Sequence, residues 1–204
     1  MRKLIFILLA LPFFTLGQNT TVRISPFYPM ISPIITEQGV GFLSVIAFGS
    51  TLGYDQKISD NESIEFNFKP RIHIFDGDQD LKEYRSYINY KRFMKYNFYT
   101  SSGLAVNYMK SFISMNADGS GDFATLYTIG PNISIGRRTM LTNRLFLDFG
   151  LGFAFNYPIY NNIERTKAVD WEADDVQYYT EVESGPKIFY LNHMLAFQFG
   201  FILN

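Results

Sequence analysis

The fold of this chain is decided by residues 64–74, which read Ile64-Glu65-Phe66-Asn67-Phe68-Lys69-Pro70-Arg71-Ile72-His73-Ile74. Apolar and polar side chains alternate here. Because successive side chains of a β-strand point to opposite faces, this period of two predicts a strand with one apolar and one polar face. The class of protein depends on what the apolar face meets, which is a protein core in a soluble sandwich and lipid in a membrane-spanning barrel.

The same alternation recurs along most of the chain. It predicts strands over 42–54, 64–74, 84–91, 98–108, 123–136, 145–156 and 189–203. An eighth strand is expected from Val22 to Ile35, although Pro26, Pro29 and Pro33 each remove a ladder donor and are tolerated mainly on edges or at bulges.

The breaks between these strands alternate in length. Short turns are predicted at 55–61, 92–97 and 137–143, a set that includes Asp55, Arg137 and Arg138. Longer loops are predicted at 36–40, 76–83, 110–122 and 158–187. An even number of antiparallel strands, with short turns at one rim and longer loops at the other, is typical of outer-membrane barrels.

Composition narrows the class of protein. A chain of 204 residues without a sharp change in composition predicts one domain, and 21 Phe with 14 Tyr favour strands. A net charge of −1 gives no basic excess for binding nucleic acid. The absence of Cys excludes disulfides, thiolate metal sites and a lipid-anchored cysteine.

The first residues predict a targeting signal. Arg2 and Lys3 precede an apolar run over 4–16, and Thr15-Leu16-Gly17 supplies small residues before Gln18. The run is shorter than the roughly 20 apolar residues that cross a bilayer. We therefore expect a cleaved signal peptide over 1–17 and a barrel domain over 18–204.

Two features favour lipid over a protein core. The apolar faces of the last two strands are almost wholly Leu and Phe, while the opposite faces hold Gly, Ala, Asn and one Asp, mostly small residues that suit a crowded barrel interior. Tyrosines stand at strand ends, where amphipathic rings would lie at the membrane interfaces, namely Tyr54, Tyr84, Tyr108 and Tyr157. The predicted fold is all-β, a single antiparallel up-and-down transmembrane β-barrel of about eight strands. A soluble secreted β-protein is the alternative.

Four short motifs resemble those of a known family of proteins. They are Gly17-Gln18 at the signal end, the glycine-rich segment 129–136, Phe149-Gly150-Leu151-Gly152-Phe153 and the Phe-rich last strand. In these the chain resembles small eight-stranded outer-membrane barrels of Gram-negative, Bacteroidetes-type bacteria. The resemblance implies the cell outer membrane as location and outer-membrane lipid as partner, and we expect a monomer.

The polar faces of the strands predict a charge network inside the barrel. Its expected members are Glu65, Lys69, Arg71, Arg85 and Asp148, with Lys91 nearer the rim and His73 on the same face. Side chains just fill the interior of an eight-stranded barrel, so these charges should pair rather than line an open pore. A structural polar plug is the favoured interpretation, and a proton or ion path is the alternative.

No residue pattern predicts catalysis, a metal or a cofactor. His193 falls on the apolar face, as in some outer-membrane lipid hydrolases, but no Gly-x-Ser-x-Gly elbow accompanies it. Residues 76–80 and 116–121 have the Asp, Asn and Gly of calcium loops but lack the closing Glu, and such residues are also typical of turns.

The loop at 158–187 is the best candidate for contact with a surface partner, through Trp171, Tyr178 and Tyr179. An ordinary solvated loop is an equally good interpretation. The predicted function is a structural or surface-interaction role in the outer membrane, with no enzymatic activity, no cofactor and no nucleic acid. The alternatives are a soluble periplasmic or secreted β-barrel that binds a ligand, and an outer-membrane lipid-modifying enzyme.

Overall fold

The structure is a computed structural model that describes residues 20–36, 39–72, 82–115, 121–168, 178–185, 187 and 189–203. The strands are β1 Thr20–Thr36, β2 Gly39–Ser59, β3 Glu62–Ile72, β4 Lys82–Phe93, β5 Phe98–Met115, β6 Gly121–Met140, β7 Leu145–Ala168, β8 Tyr178–Ser184 and β9 Tyr190–Leu203. A 3-10 turn, Lys95–Asn97, joins β4 to β5. Among the described residues, no helix has the length and apolarity needed to cross a membrane.

The strands form a closed ring. Each strand from β1 to β7 pairs antiparallel with the next, β7 pairs with β9, and β9 pairs with β1. The short strand β8 pairs with the C-terminal part of β7, whereas β9 pairs with its N-terminal part. Both lie along the same edge of β7, so β8 and β9 occupy one position in the ring. The ring therefore has eight strands, which confirms the predicted all-β antiparallel barrel.

The proline-rich segment does form a strand, and its irregularities fall where the prolines are. The register between β1 and β2 shifts between Ser25 and Tyr28, around Pro26, and again just after Pro33. Among the described residues, β1 pairs with β9 only over Thr20–Ile24, before the first proline. This agrees with the rule that proline is confined to strand edges and bulges.

The predicted loop over 158–187 is wrong at both ends, because 158–168 belong to β7 and 178–184 form β8. A register shift near Pro158 breaks the two-residue alternation there. Beyond that point the strand carries charges such as Glu164 and Arg165, so no apolar face marks it in the sequence. The segment 110–115, predicted as loop, likewise belongs to β5.

The barrel has its apolar side chains outside and its polar side chains inside. On β7, Leu151 is 50% exposed on the outer face, while Asp148 is 0% exposed on the inner face. Glycine makes room for the bulkiest inner rings, because a Cβ at Gly136 would collide with the Tyr99 ring and one at Gly200 with the Phe146 ring. The interior is therefore packed, mostly with polar side chains, and among the described residues it also holds two small apolar clusters that include Leu126 and Tyr87.

Candidate functional site

One layer of inward side chains takes a residue from each of the eight ring strands. We call it the polar layer, and it consists of Arg23, Asp55, Glu65, Lys91, Tyr99, Arg138, Asp148 and Gln198, in strand order from β1 to β7 and then β9. Every member except Arg138 is buried, and the Arg138 side chain is only 12% exposed. The layer lies toward the short-turn end of the barrel, because Asp55 and Arg138 stand near the ends of their strands.

Asp148 links the residues of one half of the polar layer to one another. The Tyr99 hydroxyl donates to Asp148 Oδ1 at 2.5 Å. Lys91 Nζ and Arg138 Nη2 lie 3.4 Å and 3.0 Å from Asp148 Oδ2. One carboxylate thus connects strands β4, β5 and β6 to β7.

Arg23 links the residues of the other half to one another. Its Nη2 lies 2.8 Å from Asp55 Oδ1 and also forms a close ion pair with Glu65. Its Nη1 donates to Gln198 Oε1 at 2.7 Å, which links β1 to β9. The halves meet where Arg138 Nη2 lies 2.6 Å from Asp55 Oδ2 and where Lys91 Nζ lies 2.9 Å from Glu65 Oε1.

The polar layer is neutral as a unit. Its three carboxylates, Asp55, Glu65 and Asp148, balance its three cations, Arg23, Lys91 and Arg138. Burial of an unpaired charge has a high free-energy cost, so these charges can be buried only because each has a partner of opposite sign. Aromatic rings add to the cation contacts, with Lys91 Nζ 4.1 Å from the Tyr99 ring centre and Arg138 Cζ 4.0 Å from that of Phe146.

The residues predicted for the charge network separate in the structure. Glu65 and Asp148 both lie in the polar layer, where Lys91, predicted nearer the rim, bridges them. Arg85 forms a separate buried ion pair with Glu83 at 2.6 Å, and the Lys69 amine donates to the Leu195 carbonyl oxygen at 3.1 Å. The side chain of Arg71, and all of His73, lie outside the described residues.

Three charged members of the polar layer were not predicted. Asp55 and Arg138 were expected in short turns, but β2 and β6 continue past them. Each lies two residues after a glycine that faces the interior, Gly53 or Gly136, and therefore faces the interior as well. Extension of the alternation by one more period would have found both. Arg23 stands at the start of the proline-rich strand, where the pattern is weakest.

The remaining predicted positions are only partly described. Trp171 and residues 76–80 and 116–120 lie outside the described residues, as do the side chains of Tyr178 and His193. Tyr179 lies in β8 opposite Lys167 rather than in a loop, and its side chain is 47% exposed. Within the described ranges, no group of three His, Cys, Asp or Glu residues is placed to hold a metal ion.

Four tyrosines form a continuous row around the outside of the barrel, toward the longer hairpins. Ring centres of neighbouring strands lie 5.9 Å apart for Tyr84 and Tyr108, 5.0 Å for Tyr108 and Tyr127, and 5.5 Å for Tyr127 and Tyr160. Tyr84 and Tyr108 were predicted at strand ends. Tyr54 instead lies toward the opposite rim, where its hydroxyl donates to Gln56 Oε1.

At the short-turn rim the exposed charges are partly paired. Lys57 Nζ donates to Asp60 Oδ1 at 2.9 Å in the turn between β2 and β3. This hydrogen bond, with the positive charge of Lys57, lowers the pKa of Asp60 below its ordinary value. Both side chains are open to solvent, so the pair contributes little to stability.

These features define an up-and-down antiparallel β-barrel with an apolar outside and a charged, closely paired interior. A similar solved structure is the crystal structure of Neisserial surface protein A (NspA), with 13% sequence identity over 90% of this chain and 96% of that chain, and a TM-score of 0.48. No protein-family model matches the chain. No curated protein matches it either.

The Tyr99 hydroxyl offers a mild test of the polar layer. Tyr99→Phe should lower the free energy of unfolding by about 1–2 kcal/mol, because it removes a buried hydrogen bond to a charged carboxylate and keeps the ring. Denaturant titration of the folded barrel in detergent micelles measures this change. Tyr96→Phe is the matched control, since Tyr96 is 80% exposed and its substitution should change the midpoint little. Equal midpoints for the two variants would contradict the assigned role.

Proposed function

We propose that this protein is an integral outer-membrane β-barrel with a structural or surface-interaction role and no open channel. The inverted polarity of the barrel is the observation that carries the proposal. Arg23, Lys91 and Asp148 are buried inside, whereas the exposed isoleucine, leucine and phenylalanine side chains on the outside have exposures of 37–61%. In water this arrangement would expose the apolar surface that drives folding and bury the charges that oppose it.

The outer apolar surface has the height that a membrane requires. On β7 its aliphatic and phenylalanine side chains run without a break from Leu145 to Phe155, which is ten residue steps, and Tyr157 and Ile159 follow beyond them. At about 3.3 Å per step and a tilt of about 40°, this stretch rises about 25 Å, the height of the apolar band in such barrels. Soluble monomers rarely expose apolar patches larger than roughly a few hundred Å². The row of four tyrosines then lies at one membrane interface.

The proposal assigns no enzymatic activity, and the interior supports a closed barrel. The polar layer spans the lumen from β1 to β7, and paired charges fill it. A soluble ligand-binding barrel would be expected to line its lumen with apolar side chains instead. A surface partner would meet the long β7–β8 hairpin, where Tyr179 and Val182 are exposed. The Bacteroidetes-type resemblance stays a prediction from sequence.

Cell fractionation followed by a heat-shift gel tests the proposal. We expect the protein in the membrane fraction, with recovery only in detergent. The unheated sample should migrate differently from the boiled sample, because a closed barrel stays folded in the gel until heating opens it. Recovery in the aqueous fraction without detergent would refute membrane insertion. A steady ionic conductance after reconstitution into a planar bilayer would refute the closed lumen.

A further inference from the structure

A cleft of about 580 Å³ opens at the short-turn rim. It lies between the β2–β3 turn and the ends of β4 and β5. Its lining residues are Ser59, Asn61, Glu62, Arg92, Phe93, Met94 and Thr100. Glu62, Arg92 and Thr100 are neighbours in register across three strands, and they share the outer face of the wall with Ile64. The cleft therefore opens on the outer face, while Phe93, whose ring lies against Tyr99 and Arg138 of the polar layer, lines its inner side.

The cleft places one cation beside one anion. Glu62 accepts a hydrogen bond from Ser59 Oγ at 3.1 Å and another from the Tyr90 hydroxyl, which hold its carboxylate in place. Arg92 is exposed and lies opposite Glu62 in register, close enough for its charge to attract that carboxylate but, within the described part of the chain, without a direct ion pair. A guanidinium with open donors suits a phosphate group, which it can bind through two parallel hydrogen bonds.

The wall next to the cleft is apolar. Ile64 and Tyr90 lie two residues farther from the short-turn rim than Glu62 and Arg92, and Ile88 lies two residues beyond Tyr90 on the same outer face. Their side chains are 44–57% exposed. A molecule with its polar end in the cleft would lay an attached hydrocarbon chain along these residues. Tyr90, with its hydroxyl on Glu62 and its ring beside the isoleucines, marks the boundary between the two environments.

We propose that this cleft binds the headgroup of a phospholipid that carries ethanolamine, an inference that rests on the proposed membrane location. The phosphate meets Arg92, the primary ammonium meets Glu62, and an acyl chain follows Ile64 and Ile88. An anionic headgroup would leave the Glu62 carboxylate facing a negative group. A choline headgroup has no N–H to donate to Glu62, so the pair favours ethanolamine.

Competition between lipids tests this inference. The purified barrel in detergent is mixed with equimolar dioleoyl phosphatidylethanolamine, phosphatidylcholine and phosphatidylglycerol, and native mass spectrometry counts the lipid that each protein retains. We expect preferential retention of phosphatidylethanolamine. Arg92→Gln should lower that retention about fivefold, as expected for the loss of one partly exposed ion pair. Glu62→Gln should remove the preference for ethanolamine over choline.

Arg137→Gln is the matched control, because Arg137 is an exposed rim cation outside the cleft lining. It should retain lipid as the unmodified protein does, and the heat-shift gel verifies that each variant is folded. Equal retention of the three lipids, or unchanged retention by Arg92→Gln, would show only general contact with lipid and would overturn the headgroup site. Those results leave the membrane location standing. Recovery of the protein without detergent would refute both proposals.

Discussion

Replacement of Asp148 by leucine should lower the free energy of unfolding by about 3–5 kcal/mol, because it breaks a buried ion network by removing one partner. Asp148 is fully buried and lies within 3.4 Å of both Lys91 Nζ and Arg138 Nη2. Leucine would leave the polar layer with two carboxylates and three cations. Denaturant titration of the detergent-solubilised barrel, followed by circular dichroism, measures the loss.

Two further variants separate charge balance from packing. Asp60→Leu removes a carboxylate that is exposed in the β2–β3 turn, and it should leave the unfolding midpoint nearly unchanged. Addition of Lys91→Met to Asp148→Leu removes one cation, so that two carboxylates again face two cations in the polar layer. The double variant should therefore be more stable than Asp148→Leu alone. An unchanged midpoint for Asp148→Leu would show that the polar layer does not stabilise the barrel.

The ring of strands was predictable because the two faces of the wall carry very different side chains. Wherever a strand has an apolar outer face and a polar inner face, as Leu145 to Phe155 does on β7, the sequence alternates and the strand can be read directly. Where a strand extends beyond that stretch, polar and charged side chains occur on both faces and the alternation disappears. The outer half of β7 and all of β8 were therefore missed, although their backbone pairs regularly.

The charged interior was predictable in kind but only partly in detail. The alternation of side chains along each strand was enough to place Glu65 and Asp148 inside, and both lie in the polar layer. The alternation does not predict which inward charges lie at the same height along the barrel axis, because that height depends on the stagger of the strands around the barrel. Arg85 therefore pairs with Glu83, its neighbour on the same face of β4, rather than with Asp148. Tyr99 escaped prediction because its role is to donate a hydrogen bond and not to carry charge.

The nature of the solvent around the barrel can be tested with an arginine on its outer face. Leu151 lies in the middle of the apolar stretch of β7 and is 50% exposed. In phospholipid vesicles, Leu151→Arg should destabilise the barrel by about 2–4 kcal/mol, because the guanidinium would have to enter hydrocarbon near the bilayer midplane. Urea titration of the reconstituted protein measures this free energy of unfolding.

Leu141 provides a control with nearly the same exposure. It is 54% exposed, but it lies in the turn between β6 and β7, beyond the apolar stretch. Leu141→Arg should change the unfolding free energy by no more than about 0.5 kcal/mol, as expected for a surface position in water. Accessibility alone predicts equal effects at the two leucines, whereas a lipid boundary predicts a large difference between them. Two equally small effects would mean that water surrounds Leu151, and the inverted polarity would then need an explanation other than a membrane.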